Sequence, residues 1–199
     1  VVDLDAPRGA SNKLQAFMTL LRQWNRTVNL VSRGDESVIW ERHILDSLQL
    51  IPLILPRTSR GIDLGSGGGF PGLVLAIETG IPFDLIESDH RKCAFLREAA
   101  RVTQAPVQVH ASRIETARVE PAPLITARAL APLGKLLTLT EPHLATAGYC
   151  LFLKGANAAN ELTDAASEWH MKIESVPSHT APDAVVLRVS EITRVKSPD

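Results

Sequence analysis

Apolar positions recur with two different periods along the chain, and the change of period falls near residue 60. Before it, Leu14, Phe17, Met18, Leu21 and Val28 fall near helical spacing, with Leu20 and Trp24 widening the stripe. Asn12, three residues ahead of Gln15, resembles a capping box and sets the expected helix start. After the loop "NRTVNLVSRG", the stretch "DESVIWERHILDSLQLI" predicts a second helix, with Asp35 as its cap and Pro52 near its end. Residues 1–58 are therefore expected to form a helical extension.

From residue 60 short β-rich runs alternate with helical stretches. "GIDLG" leads to a helix from about Gly72 to Thr79 that Gly80 closes, and "FDLIES" leads to "HRKCAFLREAARVT". "VQVHA" and "LITARAL" come next, then a helix over about Pro132–Leu144, the run "GYCLFLKG", and a helix over about Ala156–Glu168. Apolar strands separated by helices predict a parallel sheet covered on both faces. "MKIESVP" and "AVVLRVS" have no helix between them and predict an antiparallel pair at one edge. The expected class is α/β, a Rossmann-like doubly wound sheet with an antiparallel edge strand over residues 59–199. Ligands of such a sheet sit at the carboxyl ends of its strands.

The first strand runs into "IDLGSGGGFPG", residues 62–72, a turn too rich in glycine to serve packing. Two templates compete for it. Gly67, Gly69 and Gly72 fit a G-x-G-x-x-G dinucleotide loop, which aims backbone N–H groups at pyrophosphate. Asp63, Gly65, Gly67 and Gly69 fit the D-x-G-x-G-x-G loop of class I methyltransferases, which take S-adenosylmethionine. An acid inside the strand opposes phosphate but suits a ligand bearing an ammonium and a sulfonium, directly or through water. Pro71 also lacks the N–H that a phosphate loop uses. Glu87 ends the second strand, where an acid holds ribose hydroxyls in either family, so Asp63 tips the balance.

Composition narrows the classes. A net charge of −1 provides no global field to attract nucleic acid, so a polyanionic substrate needs a local basic surface. Cys93 and Cys150 are too few for a disulfide framework and read as reduced core thiols. No signal peptide is recognised, and the longest apolar run, "LQLIPLILP", is too short and proline-broken to span a bilayer. A soluble cytoplasmic chain is expected, with no membrane partner. His43 has no second ligand at suitable spacing, so no metal is expected.

With the loop in view, several stretches together resemble the bacterial 16S rRNA guanine-N7 methyltransferase family, also called RsmG or GidB. They are "WNRTVNLVS" (24–32), "ERHILDSL" (41–48), "IDLGSGGGFPGLVLAI" (62–77), "LIESDHRKCAFL" (85–96), "ASRIE" (111–115), "ITARALAPL" (125–133) and "LFLKG" (151–155). The resemblance implies methylation of N7 of a guanine, guanine 527, in 16S rRNA of the small ribosomal subunit, with S-adenosylmethionine as donor. It implies that Gly65 and Phe70 contact the cofactor, that Ile114 and Glu115 flank its adenine, and that Arg128 lies at the mouth of the site. Ile114 stands where the family usually has alanine, which predicts a tighter adenine pocket. A monomer is expected.

Guanine N7 has a free lone pair and no proton to remove, so alignment rather than a general base is the main demand. The absence of an "NPPY"-like motif after the fourth strand argues against an exocyclic amine as acceptor. The lack of a Pro-Cys nucleophile argues against pyrimidine C5. Arg128 can direct its fork at base-edge acceptors or phosphate, or form a strand-end salt bridge. Lys154, addressed to the same rim, either contacts phosphate or is an ordinary solvated lysine. These two are the candidate catalytic residues. Arg91 and Lys92 oppose a helix macrodipole, which is easier to understand if a polyanion docks there; with Arg113 and Lys154 they form the candidate RNA-binding rim. Arg42, His43 and Asp46 can pair on one helix face and, with Asn29, read first as a polar latch between extension and sheet. A methyltransferase of another substrate and a non-catalytic ribosome-assembly protein are the competing readings, with a nicotinamide dehydrogenase behind them.

Overall fold

The computed structural model describes residues 11–195, apart from the side chains of residues 33, 35 and 36. Helix α1 spans Asn12–Asn25 and buries Leu14, Phe17, Met18 and Leu21, the stripe that the spacing predicts. Its start differs from expectation by one residue. Ser11 is extended at φ −61°, ψ 149°, and its Oγ accepts from the Leu14 amide at 3.2 Å, so Asn12 is the first helical residue rather than the cap.

The continuous helix expected from Asp35 onward is broken into four pieces. A 3-10 turn covers Arg33–Val38, a π-helical turn Trp40–Leu45, helix α2 Asp46–Leu48, and a second 3-10 turn Ile51–Leu53. Asp35 thus lies inside a turn rather than at a cap, and its side chain is outside the described residues. The spacing explains the break: Ile39 and Ile44 are five apart and both fully buried, which α-helical geometry does not allow on one face. The widened turn also carries Glu41, Arg42 and Asp46 toward the strand ends.

Seven strands follow: β1 Gly61–Leu64, β2 Phe83–Glu87, β3 Val107–Ala111, β4 Ala122–Arg128, β5 Leu144–Lys154, β6 Trp169–Pro177 and β7 Val185–Arg194. Between them lie α3 Gly72–Thr79, α4 His90–Thr103, α5 Leu133–Thr140 and α6 Ala158–Ala165. The sheet order is β3-β2-β1-β4-β5-β7-β6, with the first five strands parallel and β7 antiparallel to both β5 and β6. The doubly wound sheet with an antiparallel edge is therefore borne out. Helices α3 and α4 have the expected bounds. Helices α5 and α6 are shorter than expected, because a 3-10 turn at Glu141–His143 feeds β5 early and Asn157 caps α6 late.

Alternate residues of each strand enter different cores. Leu151 and Leu153 join α1, α3 and α4, whereas Cys150 and Phe152 join α5 and Trp169. Helix α1 lies in the first core, its Phe17 edge-on to Phe70 at 5.6 Å and 6.1 Å from Phe95. Both cysteines are buried free thiols, and burial pushes the Cys150 thiol well above its ordinary range. Among the described residues, no helix is long and apolar enough to cross a membrane.

Candidate functional site

The chain leaves β1 at the point where the sheet reverses direction, with β2 on one side and β4 on the other. The turn is made by three glycines in the left-handed region, Gly65 (φ +68°), Gly67 (φ +53°) and Gly69 (φ +93°). A Cβ added at Gly67 meets nothing closer than 3.8 Å, so at this residue the turn presents bare backbone to open space, whereas one at Gly65, Gly68 or Gly69 would press on Leu130, the Leu30 carbonyl or Leu73. Most of its amides are already used. Gly65 and Ser66 donate to the Ile86 carbonyl, Gly67 donates to Glu87 Oε2 at 2.9 Å, and Gly69 and Phe70 donate to the Ser66 carbonyl. A pyrophosphate needs several converging free N–H groups, and this loop does not supply them. The turn is built for close approach of a ligand to backbone, not for phosphate.

Asp63 lies beneath the turn, fully buried and outside the cavity surface. Thr126 Oγ1 donates to its Oδ1 at 2.6 Å, while Oδ2 faces the start of α3 without a well-formed hydrogen bond. Burial raises its pKa from 3.8 to about 6; Thr126, Ser66, the Gly72 amide and the Arg128 charge offset only part of that cost. Direct contact between Asp63 and a ligand is thus replaced by an indirect one: the carboxylate acts through the turn it supports. Gly72 is the other half of this arrangement, since a Cβ there would stand 2.4 Å from Asp63 Cβ.

Glu87 is half-buried and clamps two segments, Oε2 taking the Gly67 amide and Oε1 the Asp89 amide at 2.8 Å. Ile114 and Glu115 form a 3-10 turn after β3, with the Ile114 carbonyl 3.0 Å from His143 Nε2. Just before them, Ser112 Oγ is buried without a hydrogen-bond partner. Asp63 Oδ2, beneath the glycine turn, and Ser112 Oγ, ahead of the Ile114 turn, are thus both buried oxygens without a hydrogen-bond partner.

On the other side a cavity of about 740 Å³ opens over the ends of β4 and β5. The glycine turn, the 41–46 turn, Arg128, Lys154 and the β6–β7 loop wall it. Phe70 also lines the cavity, though little of it is exposed, with its ring packed between Phe17, His43 (5.0 Å, near parallel) and the Arg128 guanidinium at 5.0 Å. Arg128 Nη1 donates to the Arg42 carbonyl at 3.0 Å and to Asp46 Oδ2 at 3.3 Å. The strand-end salt bridge weighed for Arg128 is therefore present. Asp46 Oδ1 also accepts from Gln49 Nε2 at 2.8 Å and Thr180 Oγ1 at 2.6 Å, and Gln49 Oε1 accepts the His179 amide. A polar latch exists, but not the one expected on the Arg42–His43–Asp46 face: Asp46 pairs with Arg128, Gln49 and Thr180, Arg42 enters through its carbonyl and the His43 ring stacks on Phe70, so the turn, the end of β4 and the β6–β7 loop are tied together.

Lys154 matches neither expectation. Its ammonium donates to the Ala131 carbonyl at 2.8 Å and pairs with Glu161 Oε2 at 2.5 Å, with the side chain only 9% exposed. The same Glu161 oxygen caps α5 by accepting the Leu133 amide. Arg91 is exposed and Lys92 half-buried at the start of α4, where Asp89 accepts both amides and so offsets the unfavourable cations. Those bonds hold the Asp89 carboxyl below the usual range. Arg113 is exposed beside Ile114. Asp89, Thr126, Glu161, Gln49 and Thr180 hold the site together, and none of them is among the sequence-predicted site residues. Only Asp89, directly before a helical run, carries a local signal.

Residues 10–185 match the GidB family, described as rRNA small subunit methyltransferase G. The chain belongs to this family. It is 56% identical over 188 residues to the "Ribosomal RNA small subunit methyltransferase G" of Granulibacter bethesdensis, covering 94% of this chain and 88% of that protein. The protein of the same name from Gluconobacter oxydans is 54% identical, covering 94% and 97%. In fold the chain is similar to a TehB-like SAM-dependent methyltransferase from Corynebacterium glutamicum, at a TM-score of 0.56 and 15% identity, covering 73% of this chain and 86% of that one. The family resemblance drawn from the glycine turn and its flanking stretches is borne out. Among the described residues, no group of three or more His, Cys, Asp or Glu side chains is placed to hold a metal ion.

Proposed function

We infer that the chain methylates N7 of a guanine in 16S rRNA, guanine 527 of the small ribosomal subunit, with S-adenosylmethionine as cofactor. The observation that carries this reading is the glycine turn over a buried carboxylate: bare backbone, spent amides, and Asp63 at the switch point. Family membership supports rRNA as the substrate class. When bound, the cofactor supplies an electrophilic methyl group on a cationic sulfur. Gly65 and Gly67 receive its amino-acid end against backbone; Glu87 takes the ribose hydroxyls, and Ile114 and Glu115 flank the adenine. Asp63 biases the turn toward positive charge from below.

No side chain has to remove a proton, because the N7 lone pair is free. Arg128 and Lys154 thus serve by position, holding the turn, the β4 end and the β5 end in fixed relation around the cavity. Arg91, Lys92 and Arg113, all on the carboxyl rim, take the rRNA backbone in this reading. The 41–46 turn of the helical extension provides part of the cavity's wall, and in this reading the chain acts as a monomer in the cytoplasm.

The decisive experiment incubates the protein with labelled S-adenosylmethionine and small subunits lacking the modification, then maps the methylated base. N7-methylguanine at 527 is expected, with protein-free transcript a far poorer substrate because the rim cations are few and the net charge is −1. Label on a different base, no label, or equal rates on transcript and subunit would overturn the reading.

A further inference from the structure

The cavity wall holds two acids, Glu41 and Asp46, and they differ in what remains for a ligand. Both Asp46 oxygens are engaged, Oδ1 by Gln49 and Thr180 and Oδ2 by Arg128. Among the described residues no hydrogen bond or ion pair engages Glu41, whose side chain is exposed on the π-helical turn. Two cations of the same wall are turned inward, Lys154 to Glu161 and Ala131, and Arg128 to Asp46 and the Arg42 carbonyl, while the Arg42 side chain is exposed next to Glu41 in the chain. A carboxylate with both oxygens open is therefore the most available charged acceptor in the cavity wall.

An acceptor guanine turns N7 and O6 toward the donor. Its far edge then presents N1–H and the exocyclic N2–H, two parallel donors at the spacing of a carboxylate's two oxygens. Adenine presents an acceptor at N1 and no N2 amine, so the same carboxylate repels it. We propose that Glu41 reads this edge of the acceptor base and is the specificity-determining residue for guanine. This rests on the guanine-N7 reading given above.

The contact also strengthens as the reaction proceeds. The N7 lone pair forms the new N–C bond, the S–C pair returns to sulfur, and one unit of positive charge passes from the donor to the base. That charge makes N1–H a stronger donor, so the Glu41 carboxylate binds the transition state more tightly than the ground state. Glu41 thus acts on kcat as well as on binding, without taking a proton.

The test compares small subunits carrying guanine or inosine at the acceptor position; inosine keeps N7, O6 and N1–H but lacks the N2 amine. Wild type is expected to favour guanine in kcat/KM by about 10-fold or more. Glu41→Ala should lower kcat/KM on guanine by roughly 10- to 100-fold and bring the guanine-to-inosine ratio close to one. Glu41→Gln, with one accepting oxygen, should fall between. Titration with S-adenosylmethionine should give unchanged affinity in both variants, which shows the turn intact. A guanine-to-inosine ratio that stays at the wild-type value in Glu41→Ala overturns the assignment, even if activity falls. Wild-type protein that methylates no guanine in the subunit overturns the underlying reading, and the wild-type sample alone reveals that case.

Discussion

Gly72→Ala adds one methyl group where the structure has no room for it. The new Cβ would stand 2.4 Å from Asp63 Cβ, 2.7 Å from Cγ and 2.9 Å from Oδ2. Asp63 cannot swing aside, since its side chain is fully buried and tied to Thr126. Ordinary contact begins near 3.4 Å, so the start of α3 must move from β1 by about 1 Å. Overpacking of this kind costs about 1–3 kcal/mol, and the helix propensity gained by alanine returns only part of it. A net loss of about 2 kcal/mol lowers the melting temperature of a chain this size by about 6 °C. The same shift displaces the glycine turn, so methyl transfer should fall about 100-fold. Gly134→Ala is the control: the same change, within α5, with nothing inside 4 Å of the new atom. It should leave the melting temperature unchanged or raise it by a degree or two. Thermal denaturation of both variants, with S-adenosylmethionine titration, checks the pair. A Gly72→Ala protein that melts with the wild type would refute the claim that Asp63 and α3 are in enforced contact.

Asp63 predicts a pH dependence. With its folded pKa raised from 3.8 to about 6, the folded state holds the proton more tightly, so stability from this group is full below 3.8 and is lost as pH rises through 6. The shift corresponds to about 3 kcal/mol, and urea midpoints followed against pH should lose that slope in Asp63→Asn. Binding of a cationic ligand should release a proton near pH 6, which calorimetry in buffers of different ionisation enthalpy detects. Lys154→Met leaves Glu161 as a partly buried uncompensated charge and should cost about 3 kcal/mol, whereas Lys154→Met with Glu161→Gln should recover most of it. Asp46→Ala frees Arg128, Gln49 and Thr180 together; stability should fall by about 2 kcal/mol and kcat/KM by about 10-fold, read from denaturation and subunit methylation.

Much of this was legible in the chain because local signals and tertiary demands agree. The period-2 and near-continuous apolar runs gave the strands, Gly80 marked the end of α3, and three glycines marked the turn. The region 33–53 defeats helical periodicity at the five-residue step between Ile39 and Ile44, where a widened turn satisfies the core instead. The partners of Arg128 and Lys154 lay beyond reach for a different reason. Asp46 is 82 residues from Arg128, and Glu161 sits on a helix whose exposed pattern says nothing of a buried lysine. Ala129, in the left-handed region at φ +50° directly after Arg128, shows the same limit: alanine gives no warning of that conformation.

The pattern of those unseen partners explains how a near-neutral chain can serve a polyanionic substrate. The two strand-end cations at the cavity are each met by a carboxylate from another element, Arg128 by Asp46 and Lys154 by Glu161. Charge that is answered inside the protein contributes little long-range attraction, but it fixes geometry. The Asp46 hub holds the 41–46 turn, the end of β4 and the β6–β7 loop as one wall, and the Glu161 hub joins β5 to α5 and α6. A reaction that needs no base, only a lone pair in line with a methyl group, gains from such fixity more than from attraction. What the site gives up in attraction it recovers by recognising a preformed shape, so the polar residues around it act chiefly as the framework that holds one base in one orientation.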